Sequence, residues 1–323
     1  MPESEAFTSR RSVTVGLLAA VGQTIALGVA AVVTGSAALK TQTATNLADI
    51  AVSAFLLIAV VASNRPADDT HPIGYGRERF FWSFIAAVGI FIGGFGAAVA
   101  ETLQTVFRPT PTGSYAVGYI VLAVVISLDV IALIGGLRPL RQRGAERHVP
   151  LGRILWRGTD PAVTTLVLSS VAGIAGGVVA AAGLGGSELT GSSLPDAAAS
   201  ALIGLILLAT SVVLLHTNRE LLTGRAVSQT QVNQMRQVIA DRPGVVAVPD
   251  MFAIVIGPAS VIVDADVIFE DGLNVPQVEG IIVDASTALR ESWPSIAYVY
   301  LNPVAEHRPR RFGAITRGRG DRP

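Results

Sequence analysis

The sequence predicts a membrane-embedded, all-α bundle of six transmembrane helices followed by a small cytoplasmic α+β domain. Three observations carry this. Half of the 323 residues are hydrophobic and only 15% are charged, with a mean hydropathy of +0.54, a composition too apolar for a soluble chain of this size. Six apolar stretches reach the roughly 20 residues that a helix needs to cross a hydrocarbon core about 30 Å thick. Past residue 217 the pattern changes to short β-branched runs between amphipathic helices.

The spans fall at about 13–33, 37–62, 81–106, 115–137, 162–183 and 196–216. A short N-terminal tail, 1–12, precedes them. Its order of charges does not match a cleaved signal peptide, so the first stretch reads as a retained span. The breaks carry turn-forming residues: TGS at 34–36, RPADDTHPIGYGR at 65–77, RPTPTGS at 108–114, an Arg-rich run at 138–157 and GLGGSELTGSSLPD at 183–196. Arg10, Arg11, Arg65, Arg77, Arg79, Arg138, Arg141, Arg143, Arg147, Arg153, Arg157, Arg219 and Arg225 fall on one side of the membrane, and Arg108 on the other. The positive-inside rule then makes both termini cytoplasmic. Phe80, Phe81 and Trp82 open the third span, where rings settle at an interface.

The domain at 218–303 reads as helix (TQVNQMRQVIADRPG), two strands (VVAVPDMFAIVIG and SVIVDADVIFED), helix (VPQVEGIIVDASTALRES) and strand (IAYVYLNP), the order αββαβ. The segment 304–323 is basic, rich in Gly and Arg, and reads as a disordered tail.

Helix two carries the chemistry. At 3.6 residues per turn, Gln42, Thr45, Asn46, Asp49 and Ser53 line one stripe. An acid such as Asp49 in mid-span costs a few kcal/mol and faces a bundle interior, where it marks an ion path; polar packing around one acid is the plainer alternative. Lys40, the chain's single lysine, lies off the stripe near the outer end and reads as a snorkelling residue. With no cysteine in the chain, thiolate sites and disulfides are excluded. A net charge of zero argues against a nucleic-acid partner, and no catalytic motif occurs in its required setting, so the chain is not read as an enzyme and no cofactor is implied.

The runs TGSAALKTQTATNLAD, RPADDTHPIGYGRERFFWSF, AAVGIFIGGFGA, TDPAVTTLVL, PDAAASALIGLIL and GVVAVPDMFAIVIGPASVIVDADVIFED resemble the cation diffusion facilitator family of divalent-metal/proton antiporters, in the branch of zinc-transporter-9-like proteins. The resemblance covers residues 12–303. It implies a ferredoxin-like cytoplasmic domain, a homodimer in the lipid bilayer, a divalent cation and protons as substrates, and a bacterial inner-membrane location. The family's transport site takes two ligands four residues apart from each of helices two and five, a spacing that sets both donors on one face. The helix-two pair maps to Thr45 and Asp49, with Asn46 beside them and Gln42 where the branch often carries an acid. On helix five, Ser169 and Ser170 stand where the branch tends to show Glu and Asp. The site so read keeps one carboxylate, and an imidazole-free set of oxygens suits Mg²⁺ or Mn²⁺ better than Zn²⁺.

Asp68, Asp69 and His71 form a second candidate metal set on a cytoplasmic loop, with Tyr75 in place of a family histidine; a structural turn is the other reading of that loop. Asp264 and Asp266 share a strand face and read as solvated. Glu101 and Asp196 read as interfacial acids, and Asp129 as a deeper one able to pair with a neighbouring helix. Two functions stay open: a divalent-metal exporter centred on Asp49, and a non-transporting scaffold or partner subunit that keeps the fold without the metal site.

Overall fold

A computed structural model describes residues 20–108, 115–147, 161–258 and 260–305. The N-terminal tail and the basic segment from residue 306 lie outside this set. The chain divides into two compact units at the Arg219–Glu220 junction.

In the first unit, helices α1 (Ala20–Thr34), α2 (Ala37–Ser63), α4 (Tyr115–Arg147), α5 (Pro161–Thr190) and α6 (Leu194–Leu222) are continuous. Helix α3 (Glu78–Phe107) holds a π-helical turn at Ile90–Phe95 between two α-helical parts. Helices α2, α3, α5 and α6 are long and apolar enough to cross a membrane, while α1 and the Tyr115–Ile131 part of α4 are shorter apolar helices. Several helices run past their predicted ends, because Arg138 and the polar residues after Gly183 and His216 continue the helix.

Small residues set the packing. A Cβ on Gly118 of α4 would meet Leu39 and Leu184, one on Gly177 of α5 would meet Ile126, and one on Gly173 would meet Asp129. Those pairings make α4 and α5 antiparallel. Likewise Gly93 of α3 lies against Ala48 of α2, and Gly94 and Gly204 bring α3 and α6 together. Backbones this close are what membrane helices achieve with glycine in place of bulkier residues. The buried core includes Leu27, Leu39, Leu122, Val125, Ile203 and Leu214. Phe80 is fully buried within the unit; Trp82 stacks on Phe55 at 5.9 Å and donates to Glu78 Oε2 at 2.8 Å.

The second unit contains α7 (Gln229–Ala240), β1 (Val245–Gly257), β2 (Ser260–Phe269), α8 (Val275–Ser292) and β3 (Ile296–Pro303), in the αββαβ order that β-branched alternation predicts. The sheet order is β1-β2-β3, with β1 and β2 antiparallel and β2 and β3 parallel, so α8 is the crossover that a parallel pair requires. Helix α8 starts with a capping box, Asn274 accepting from Gln277 N and Gln277 from Asn274 N. Val232, Met235 and Ile239 of α7 and Leu289 of α8 pack with Val263, Ala265 and Val267 of β2. Asp264 and Asp266 occupy the alternate positions of β2; Asn302 donates to Asp264 Oδ1 at 2.6 Å, and Asp266 is buried, not solvated as its sequence suggests.

Candidate functional site

The N-terminus of α2 is fixed first. Ser36 is its cap, accepting from Leu39 N at 3.2 Å. Asp196 of α6 accepts from Ser36 Oγ at 2.6 Å, from Ala38 N at 3.3 Å and from Ala37 N. This carboxylate sits where orphan N–H groups and the helix dipole favour negative charge. Asp196 is therefore a buried structural group, not the interfacial acid its position near a span end suggests. Lys40 and Glu101, both partly exposed, pair with each other, Nζ to Oε2, at 3.7 Å.

One turn further along, Thr41 and Ser200 are hydrogen-bonded at 2.7 Å, and then the polar stripe begins. Gln42, Thr45 and Asn46 are all buried, and Gln42 is 0% exposed; Asp49 and Ser53 are half-buried. Thr45 Oγ1 donates to Thr41 O at 2.9 Å, which directs its proton into the helix and leaves the oxygen's lone pairs outward. Gln42 Nε2 donates to Gly173 O of α5 at 3.5 Å. Gln42 Oε1 has no hydrogen-bond partner, and it lies 2.8 Å from where a Cβ on Gly176 would be.

On α5, Thr164 and Thr165 are buried and Ser169 and Ser170 half-buried. Thr165, Ser169, Gly173 and Gly176 recur at steps of four and three, so they share one face. That face meets α2 at Gln42 and also meets α4, where Asp129 Oδ2 lies 3.1 Å from the position of a Cβ on Gly173. Gln23 of α1 holds the other oxygen of this acid, Nε2 donating to Asp129 Oδ1 at 3.1 Å. Asp49 lies two turns along the same stripe of α2 from Gln42. Among the described residues, Asp129 thus adds a second acid beside α5, where the helix-two and helix-five positions alone point to one. Gln23, whose neighbours at helical spacing are Ala19, Ala20, Ala26 and Leu27, gives no sequence sign of this role.

Among the described residues, no three His, Asp or Glu side chains converge as a set able to hold a metal ion. In the loop before α3, Asp68 organises its own turn. Its Oδ1 accepts from Thr70 Oγ1 at 2.6 Å, Thr70 N at 3.0 Å and His71 N at 2.8 Å, and its Oδ2 accepts from Tyr75 OH at 2.7 Å. The Thr70 and Tyr75 hydroxyls, with the His71 amide, hold the Asp68 carboxyl well below the usual carboxylate range. The His71 ring packs on Tyr75 at 4.1 Å, and the Arg65 guanidinium covers Tyr75 at 4.4 Å. Asp69 and His71 are exposed beside it.

Residues 13–223 match the family described as the cation efflux transmembrane domain. The chain is 29% identical over 230 residues to "Metal tolerance protein C4" of Arabidopsis thaliana, covering 71% of this chain and 50% of that one. It is 27% identical over 237 residues to "Proton-coupled zinc antiporter SLC30A9, mitochondrial" of Homo sapiens, covering 73% and 42%. Over 108 residues, 33% of this chain and 36% of the relative, it is 31% identical to "Magnetosome protein MamB" of Magnetospira sp. (strain QH-2). The chain thus spans half or less of the length of these relatives.

Proposed function

The chain belongs to the cation diffusion facilitator family, in its zinc-transporter-9-like branch, and from that premise we propose that it is a transporter, not an enzyme, which moves a divalent metal cation across its membrane in exchange for protons. The observation that carries this is the polar stripe of α2, buried at Gln42, Thr45 and Asn46 and continuing through Asp49, against α5, whose sequence offers hydroxyl and carbonyl oxygens and neither Cys nor His. A carboxylate binds a cation only when ionised, so metal and proton compete for it, and that competition is the chemical basis of antiport. Thr45, Asn46 and Gln42 of α2, with Ser169 and Ser170 of α5, would complete the coordination together with water. Asp68, Asp69 and His71 are less suited to a metal, because the oxygens of Asp68 already hold the loop together.

In this reading α1 and α4 join the four longer helices as spans, making six, and the second unit is ferredoxin-like and associates as a homodimer. The arginine distribution supports cytoplasmic termini, and in this reading the membrane is a bacterial inner membrane. Uptake of Zn²⁺ and Mn²⁺ into proteoliposomes, with Asp49→Asn as the comparison, tests the function. The wild-type protein should load the vesicles while acidifying the medium in step, because protons leave as the metal enters, and Asp49→Asn should fall to the level of empty vesicles. Equal background flux in both would overturn transport and leave the scaffold reading standing.

A further inference from the structure

We propose that Asp129 of α4 is the second charged ligand of the transport site and takes the place of the acids missing from α5. This rests on the transport function proposed above and adds a residue and a helix to that site.

The argument starts from charge. A divalent cation in a low-dielectric interior needs close to two compensating negative charges, because the desolvation cost of each uncompensated ion is several kcal/mol. Helix α2 supplies one, Asp49. Helix α5 supplies none at that depth, since its single acid, Glu188, stands at the far end of Pro161–Thr190, where Tyr119 OH donates to it at 3.1 Å.

Asp129 fills the deficit by geometry. Its carboxylate is turned towards α5, one oxygen held by Gln23 at 3.1 Å and the other directed at Gly173. Gly173 has no side chain to fill that space, and its carbonyl oxygen faces Gln42 Nε2. Gln42 Oε1 is the independent sign of a ligand: it belongs to a side chain that is 0% exposed, it has no donor, and it points at the same glycine face, by Gly176. A buried acceptor with no donor is costly, and a cation removes that cost. Asp129, Gln42 and the Gly173 carbonyl thus bring three oxygens from three helices to one stretch of α5, with Asp49 two turns along the same α2 stripe from Gln42. Carboxylate, amide and carbonyl oxygens are the donors of hard divalent ions, so the substrate class is an oxygen-preferring divalent cation such as Mn²⁺.

The test is Mn²⁺ and Zn²⁺ binding to the purified full-length protein in detergent, together with proteoliposome uptake, for wild type, Asp49→Asn, Asp129→Asn and Asp271→Asn. Asn at 129 keeps the shape and can still accept from Gln23, so the change isolates the charge. Asp129→Asn should weaken Mn²⁺ binding at least tenfold and reduce uptake to a similar extent as Asp49→Asn. Asp271→Asn, which removes an exposed acid of the second unit, should match wild type. Adding Ser169→Asp to Asp129→Asn returns a carboxylate from the same face of α5 and should restore binding, which a purely structural role for Asp129 would not allow. Should Asp129→Asn bind and transport like wild type while Asp49→Asn does neither, the inference is wrong and transport stands. If wild type itself neither binds nor transports, the transport function falls and this inference with it. If Asp129→Asn fails to fold, Asp129→Glu decides instead: binding within about twofold of wild type supports a charged ligand, and lost binding in a folded protein overturns it.

Discussion

Asp68 shows how one side chain can organise a loop in water. Three of the four hydrogen bonds to its carboxylate come from within three residues of it, an arrangement that Asp adopts readily because its short side chain reaches the backbone two and three residues on. Because its folded-state pKa is depressed, the ionised loop is favoured above the unfolded carboxyl's value of about 4, and the benefit disappears as pH falls below that range. The Asp68 carboxyl carbon, followed by NMR in the detergent-solubilised protein, should therefore titrate well below pH 4, and Thr70→Ala or Tyr75→Phe should move it upward. A wild-type titration near the ordinary carboxylate value would refute this account. At the same scale, the polar stripe of α2 was legible from 3.6-residue spacing alone, and Gln42, Thr45 and Asn46 are buried as that spacing requires. The contact between Asp129 and Gln23 was not legible, since nothing local to either residue says that α1 lies beside α4.

At the scale of elements, glycine decides which helices can touch. A Cβ on Gly183 of α5 would lie 2.3 Å from the Cβ of Ala199 and 3.3 Å from Pro195 O of α6, whereas one on Gly96 of α3 meets nothing within 4 Å. Gly183→Ala should thus cost about 1–3 kcal/mol through forced separation of α5 and α6, and Gly96→Ala should be neutral or stabilising by up to about 1 kcal/mol. Thermal unfolding of the two variants in one detergent checks this; equal midpoints would show that the α5–α6 contact does not govern stability. Helix existence was readable from apolar length, and strands from β-branched alternation. The π-helical turn at Ile90–Phe95 was not, because an i→i+5 bond leaves no fixed residue pattern and the Gly93–Gly94 pair inside it reads equally well as a packing motif.

At the scale of the whole molecule, the two units differ in the solvent each is built for. The unit before Arg219 exposes large apolar side chains such as Val32, Ile92, Ile120 and Leu205, whereas residues 220–305 close a core of their own between two helices and a sheet. Expressed alone, that second segment should be soluble and unfold cooperatively in urea by circular dichroism; an unfolded or aggregated fragment would show that it depends on the membrane unit. The α2 cap has a consequence for biosynthesis. Its N–H groups at Ala37 and Ala38 are satisfied by Asp196, 159 and 158 residues downstream, so during translation α2 leaves the ribosome long before its partner exists. Until the last membrane helix is made, the early helices wait with a frayed end, and release of the finished protein from its insertion machinery becomes the moment at which that end is locked.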